Sequence, residues 1–209
     1  MARPQIFNQQ WVISKAIECF WIKGYSDTSL ADLLKAMSIS RSTFYNSFGD
    51  KKQLFELCLQ TYSQQTQQIL TMTLLNEGRG GSTPMELSAF EVIKQFLHIV
   101  LVAPNRELSA RGCLLVNTIA EAAKADEELS RLSVALMQPV KLGFIHQLKR
   151  EFTEEVSHQY GEWLFTQLLG WRLQCQVGLD NKTLEQQINW SLLQLKKEAE
   201  LPVTSSSIL

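Results

Sequence analysis

Long apolar runs are missing from this chain. The longest, Ile99 to Pro104, falls far short of the roughly 20 residues a helix needs to cross a bilayer, so no membrane association is expected. The opening stretch MARPQIFNQQWVISK carries charge and amides where an export signal needs an apolar block. A cytoplasmic location is the expectation. The cysteines Cys19, Cys58, Cys113 and Cys175 form no C-x-x-C pair, which argues against a zinc site or a disulfide frame. Histidine is scarce, and His98, His146 and His158 lack metal-ligand spacing. No G-x-S-x-G, P-loop or H-E-x-x-H motif is present, so neither catalysis nor a metal or cofactor is expected. Charge of one sign is absent too, with a net charge of −1 over 209 residues. That average hides an asymmetry: residues 1–62 carry +2 and the remainder −3, so a polyanion should prefer the N-terminal segment.

What is present is helical periodicity almost throughout, and no segment shows a convincing strand pattern. Ile13, Ala16, Ile17 and Phe20 mark one face of a first helix that Gly24 closes. Thr28 or Ser29 offers a cap for a short second helix striped by Leu30, Leu33, Leu34 and Met37, with Asp32 in its opening turn. After a break at Ser38-Ile39, Ser40 caps a third short helix that stops at Gly49, and Asp50 starts a longer one. The stretch GRGGSTP (78–84) reads as a linker. Helices follow at 85–103, 107–124, 127–152 (with Pro139 and Gly143 expected to bend it), 155–178 and 181–199, before a polar tail. The expected division is an N-terminal segment 1–52 of short helices, a connecting helix 51–76, a second domain 77–201 and a disordered tail 202–209.

The third helix has an unusual face. At about 100° per residue Phe44 and Phe48 fall within about 40° of each other and mark its buried side. Ser42, Thr43 and Asn46 then point away, with Tyr45 on the flank and Arg41 in the first turn. Short donors and acceptors make a poor solvating face but a good template for base edges. Two short helices joined by a tight turn, the second carrying such a face, describe a helix-turn-helix whose second helix suits the major groove. A Ser/Thr-rich surface helix over an ordinary core is the other reading these residues allow.

The segment AIECFWIKGYSDTSLADLLKAMSISRSTFYNSFGDKKQLF resembles the N-terminal DNA-binding domain of the TetR family of bacterial regulators. The likeness rests on Ala16, Phe20, Gly24 and Tyr25, on Thr28 and Ser29, and on the run Ser40, Ser42, Thr43, Phe44, Tyr45, Phe48, Lys51 and Leu54. Ser42 departs from the glycine that many members carry. The resemblance implies an all-α protein: an N-terminal three-helix helix-turn-helix domain joined by a long helix to a C-terminal helical ligand-binding and dimerisation domain. It puts Arg41, Ser42, Thr43 and Asn46 at base edges, and Thr28, Ser29, Ser40, Tyr45 and Lys51 at phosphates. Arg3 is expected to reach a minor groove. Double-stranded DNA with a palindromic operator, a homodimer and a small-molecule effector are the partners it implies, with repression relieved by the effector. RGCLLVNTIAEAA (111–123) looks like the sixth-helix segment of some members.

Residues 155–199 carry two apolar stripes, Trp163, Leu164, Leu168, Trp171 and Cys175 on one helix and Leu184, Ile188, Leu192 and Leu195 on the next. Core packing accounts for such stripes, but Phe165, Trp190 and Leu193 lie off them and need cover as well. The resemblance implies that Trp163, Leu164, Leu168, Trp171, Ile188, Leu192 and Leu195 pair with their two-fold mates. Phe96, His98, Asn117, Glu121, Phe144, Gln147 and Trp163 combine aromatic walls with polar anchors, as an effector pocket or a packed core with satisfied polar groups would. Cys113, two residues from Arg111 in sequence, is a candidate oxidant sensor or a small buried hydrophobe. A C-terminal part that docks a protein partner or senses oxidants is the alternative to one that binds a small ligand.

Overall fold

The computed structural model describes residues 8–75, 87–102, 111–122 and 126–199. Arg3, the GRGGSTP stretch and the C-terminal tail lie outside the described residues. Nine α-helices and one π-helical turn make up the described secondary structure.

Four helices open the chain, and each is bounded by chemistry local to it. Helix α1 (Gln9–Lys23) starts where the Asn8 side chain accepts the Trp11 N–H and ends at Gly24, whose φ of 81° a β-carbon would resist. Helix α2 (Leu30–Met37) opens with a reciprocal capping box between Ser29 and Asp32. It closes at Ser38, which at φ 53° is the one non-glycine residue among those described in the left-handed region. Helix α3 (Arg41–Phe48) is capped by Ser40 and stopped by Gly49 at φ 72°. Helix α4 (Lys51–Met72) follows at once, with Asp50 Oδ1 accepting the Gln53 N–H at 2.8 Å.

Beyond them, α5 (Ala89–Leu97) runs into a π-helical turn, His98–Val102, where a single α-helix over 85–103 is expected from periodicity. The widened turn gathers Val100, Leu101 and Val102, three consecutive residues, into the core. Helices α6 (Leu114–Ala122), α7 (Glu127–Leu148), α8 (Glu154–Gln176) and α9 (Asn181–Ala199) complete the described chain. Pro139 lies inside α7. No described helix is long and apolar enough to cross a membrane.

The chain falls into two compact units that interleave along the sequence. The first comprises residues 1–66 with 111–138, the second 67–110 with 139–209. In the first, Phe20, Leu33, Met37, Phe44, Leu54, Phe55, Cys58 and Leu59 are all but sealed from solvent. Phe20 and Phe55 sit 4.6 Å apart between ring centroids. The second unit is built around Phe96 against Phe144 in an edge-on pair at 5.6 Å, with Leu164, Leu168, Trp171, Leu184, Ile188, Leu192 and Leu195 in the same cluster. Gly161 lets α8 approach α7 there, since a β-carbon would overlap Ile145.

The α2 cap carries a pH dependence. The Lys23 ammonium, at 2.6 Å, and then the hydroxyl and amide of Ser29 hold the Asp32 carboxyl well below the usual carboxylate range. A carboxyl depressed on folding stabilises the fold above its unfolded value of about 4, and that stabilisation drains away as the pH falls. Melting temperature measured against pH should therefore drop less steeply on the acid side for Asp32→Asn than for the parent protein. Parallel curves would show that Asp32 does not couple to folding.

Candidate nucleic-acid interface

Packing of α3 decides which of its side chains face outward. Phe44 and Phe48 are buried, with ring centroids 6.0 Å apart, and Tyr45 stands edge-on to Phe44 at 5.5 Å. Arg41, Ser42, Tyr45 and Asn46 are exposed and Thr43 is half-buried. At the start of the helix the Ser40 hydroxyl caps the Thr43 N–H at 3.1 Å and lies 2.9 Å from both Ser42 Oγ and Thr43 Oγ1. The remaining polar groups are uncommitted: among the described residues, no hydrogen bond or ion pair takes up the Arg41 guanidinium, the Tyr45 hydroxyl or the Asn46 amide.

The residues expected at phosphates divide. Ser29 is exposed, its hydroxyl shared with Asp32 in the cap of α2. Thr28 is a correction. It is fully buried and its hydroxyl donates to the Gly24 carbonyl at 2.5 Å. The Thr28 side chain is turned into the α1–α2 turn, away from any phosphate, and of the two cap candidates Ser29 is the one that caps α2. Lys51, at the start of α4, places its Nζ 4.6 Å above the Tyr25 ring and donates to the Ser26 carbonyl at 3.3 Å. Its neighbour Lys52 is taken up by Asp126 at 3.1 Å and Glu128 at 2.7 Å, which drive its pKa upward and cancel its charge locally. The excess positive charge of this segment thus rests on Lys51 and Arg41 more than on Lys52.

The residues proposed for an effector pocket are not gathered together. Phe96 and Phe144 are packed against each other in the core of the second unit. Gln147 is buried there, donating to the Leu74 carbonyl and accepting from Arg150 at 2.6 Å. His98 is exposed, 3.4 Å from Glu185, and lines a groove of about 230 Å³ with Lys94 and Asn189. Trp163 lines a different groove, of about 330 Å³, with Tyr160 and Trp190. Asn117 and Glu121 belong to the first unit, where Asn117 donates to the Arg111 carbonyl and Glu121 accepts from Tyr25 and Ser26. Satisfied core and capping groups account for most of the set.

The dimer residues need a similar correction. Leu164, Leu168, Trp171, Ile188, Leu192 and Leu195 are 5% exposed or less, inside the core of a single chain, because the stripes of α8 and α9 face inward. Trp163, Leu173, Trp190 and Leu193 are the large apolar side chains left exposed on these helices, and Phe165 is half-buried against the core. Cys113 is buried, as a small apolar residue would be. Burial pushes the Cys58 and Cys175 thiols up, away from the reactive thiolate.

One contact was not legible in the sequence: the Glu121 carboxylate accepts the backbone N–H groups of Tyr25 and Ser26 at 2.9 and 2.6 Å. The only hint was Gly24, which marks a turn able to present adjacent amides.

Residues 12–58 match the family described as bacterial regulatory proteins, tetR family. Over 157 residues the chain is 28% identical to the uncharacterized HTH-type transcriptional regulator YezE of Bacillus subtilis (strain 168), spanning 72% of this chain and 73% of that one. Over 60 residues it is 40% identical to the HTH-type transcriptional repressor ComR of Escherichia coli (strain K12), 29% of each chain. Its fold is similar to that of SCO4454, a TetR-family transcriptional regulator from Streptomyces coelicolor, with a TM-score of 0.76 over 92% of this chain and 96% of that chain at 15% identity. It is also similar to a cysteine mutant of the TetR-family regulator CifR complexed with a 26-bp double-strand operator DNA, with a TM-score of 0.72 over 91% and 98% at 23% identity.

Proposed function

The chain belongs, through residues 12–58, to the tetR family of bacterial regulatory proteins, and from that membership we propose that this DNA-binding transcriptional regulator is a repressor. It binds a palindromic operator as a homodimer and is released by a small molecule.

The observation that carries the DNA-reading part is the face of α3. An exposed guanidinium and amide left without internal partners, beside the hydroxyls of Ser42 and Thr43, is what base edges in a major groove require. Arg41, Ser42, Thr43 and Asn46 are assigned to bases. Ser29, Ser40, Tyr45 and Lys51 are assigned to phosphates, which fix register without reading sequence.

The homodimer is supported by the apolar residues that the single chain leaves uncovered. Trp190 is 64% exposed and lines a groove with Trp163, and Leu193 is exposed three residues further along the same helix. Two-fold symmetry would set the recognition helices for half-sites about 34–36 Å apart or somewhat more. The effector is assigned to the second unit, and a metabolite that binds there must raise the melting temperature.

Selection of bound duplexes from a random pool, at two salt concentrations, tests the proposal. A two-fold-related motif should emerge, with log affinity falling linearly in log salt. Recovery of unselected sequence at both salts would refute sequence-specific binding.

A further inference from the structure

The turn between α1 and α2 is held from outside the helix-turn-helix. Gly24, at φ 81°, turns the chain so that the next two amides point the same way. Tyr25 N–H donates to one oxygen of Glu121 and Ser26 N–H to the other. The fit is close: a β-carbon at Gly24 would lie 2.9 Å from Glu121 Oε2. Burial would push this carboxyl upward, but the two amides, the Ser26 hydroxyl and Lys51 outweigh it and leave the pKa lowered. Glu121 is therefore charged at neutral pH.

The same two residues hold Lys51. The Ser26 carbonyl accepts from its ammonium, and the Tyr25 ring lies beneath it. That ring is itself stacked on Phe55 at 4.8 Å. A path of direct contacts thus runs from Glu121 through the turn to the cation assigned to a phosphate.

We propose that Glu121 is a positioning residue for DNA binding, which by clamping the amides of Tyr25 and Ser26 holds the carbonyl and ring that aim Lys51. The inference rests on the DNA-binding reading above. A long, flexible ammonium fixed before DNA arrives loses less freedom on contact than one that must be ordered by it. The alternatives differ in sign. A carboxylate acting only through its charge repels a polyanion, so its removal should tighten binding; a clamp should weaken binding when it is cut.

The test uses full-length protein and the duplex obtained by selection. Kd is measured across a series of KCl concentrations for the parent, Glu121→Gln, Lys51→Met and the double variant. Glu121→Gln keeps the size of the side chain but turns its NH2 group toward one of the two amides. It should bind about three- to tenfold more weakly. The slope of log K against log salt should fall by about 0.9 for each phosphate that is no longer neutralised. In the Lys51→Met background the same change should have no further effect. Glu121→Asp, one methylene short of both amides, serves as a second variant and should fall with Glu121→Gln. Binding that is unchanged or tighter in Glu121→Gln overturns the inference while the DNA-binding reading stands, as does an equal weakening in both Lys51 backgrounds. A parent protein that captures no duplex overturns both.

Discussion

Phe44→Ala is expected to remove about 3–5 kcal/mol from the stability of the first unit and, with it, the recognition helix. Phe44 is completely buried, packed against Phe48 on one side and edge-on to Tyr45 on the other. Eight residues are too few for a helix to persist alone in water, so α3 depends on this packing for its existence and on Ser40 only for its start, a cap of about 1 kcal/mol. Domains as a rule hold only about 5–15 kcal/mol in total, so the loss takes a large share. The measurement is a thermal melt followed by circular dichroism, alongside duplex capture at low temperature. Phe44→Ala should show an early loss of helical signal and no specific capture. Ser47→Ala, on the exposed side of the same helix, should melt within about 0.5 kcal/mol of the parent. A Phe44→Ala protein that melts with the parent would contradict the packing described here.

Trp190→Glu is the second large effect, and it should act on assembly and leave folding intact. The side chain is mostly exposed in the single chain and shares its surface with Trp163 and Leu193. A carboxylate there costs the isolated protomer little, but at the centre of the proposed two-fold interface it would be buried twice and face its own mate. Sedimentation should report a monomer. Operator affinity should fall by about two orders of magnitude or more, since a dimer converts the second half-site into an intramolecular event. The contrast with the neighbouring stripe is diagnostic. Leu192→Glu, two residues on and buried in the core, should unfold the second unit before it dissociates anything. A Trp190→Glu protein that stays dimeric would place the interface elsewhere.

These two residues also mark what the sequence discloses. The starts of α3 and α4 and the ends of α1 and α3 were legible because their signals are local: Ser40 and Asp50 cap the helices they precede, and Gly24 and Gly49 end those they follow. Phe44 and Phe48 were legible as core for the same reason, since helical angle alone pairs them. The stripes of α8 and α9 were visible too, but periodicity identifies an apolar face without saying what covers it. All the stripe residues except Trp163 proved to be core, and of those off the stripes Trp190 and Leu193 remained exposed while Phe165 is half-buried. Thr28 and Ser29 are equivalent as hydroxyls in a sequence, and only the turn at Gly24 decides which one faces inward. Glu121 lay furthest from view, because its partners are 95 and 96 positions away and no local pattern announces a contact of that range. The widened turn at His98–Val102 likewise follows from what the core has room for, which no window of residues encodes.

The claim on which the functional account turns is that α3 reads bases and Lys51 only holds the backbone. Sequencing the duplexes that the parent, Thr43→Ala, Asn46→Ala and Lys51→Met each select from one random pool tests it directly. The account predicts that Thr43→Ala and Asn46→Ala each relax preference at matching positions of both half-sites, by about 1–3 kcal/mol of discrimination per base pair. Lys51→Met should lower affinity while selecting the parent motif. A motif that survives both α3 substitutions intact would contradict it.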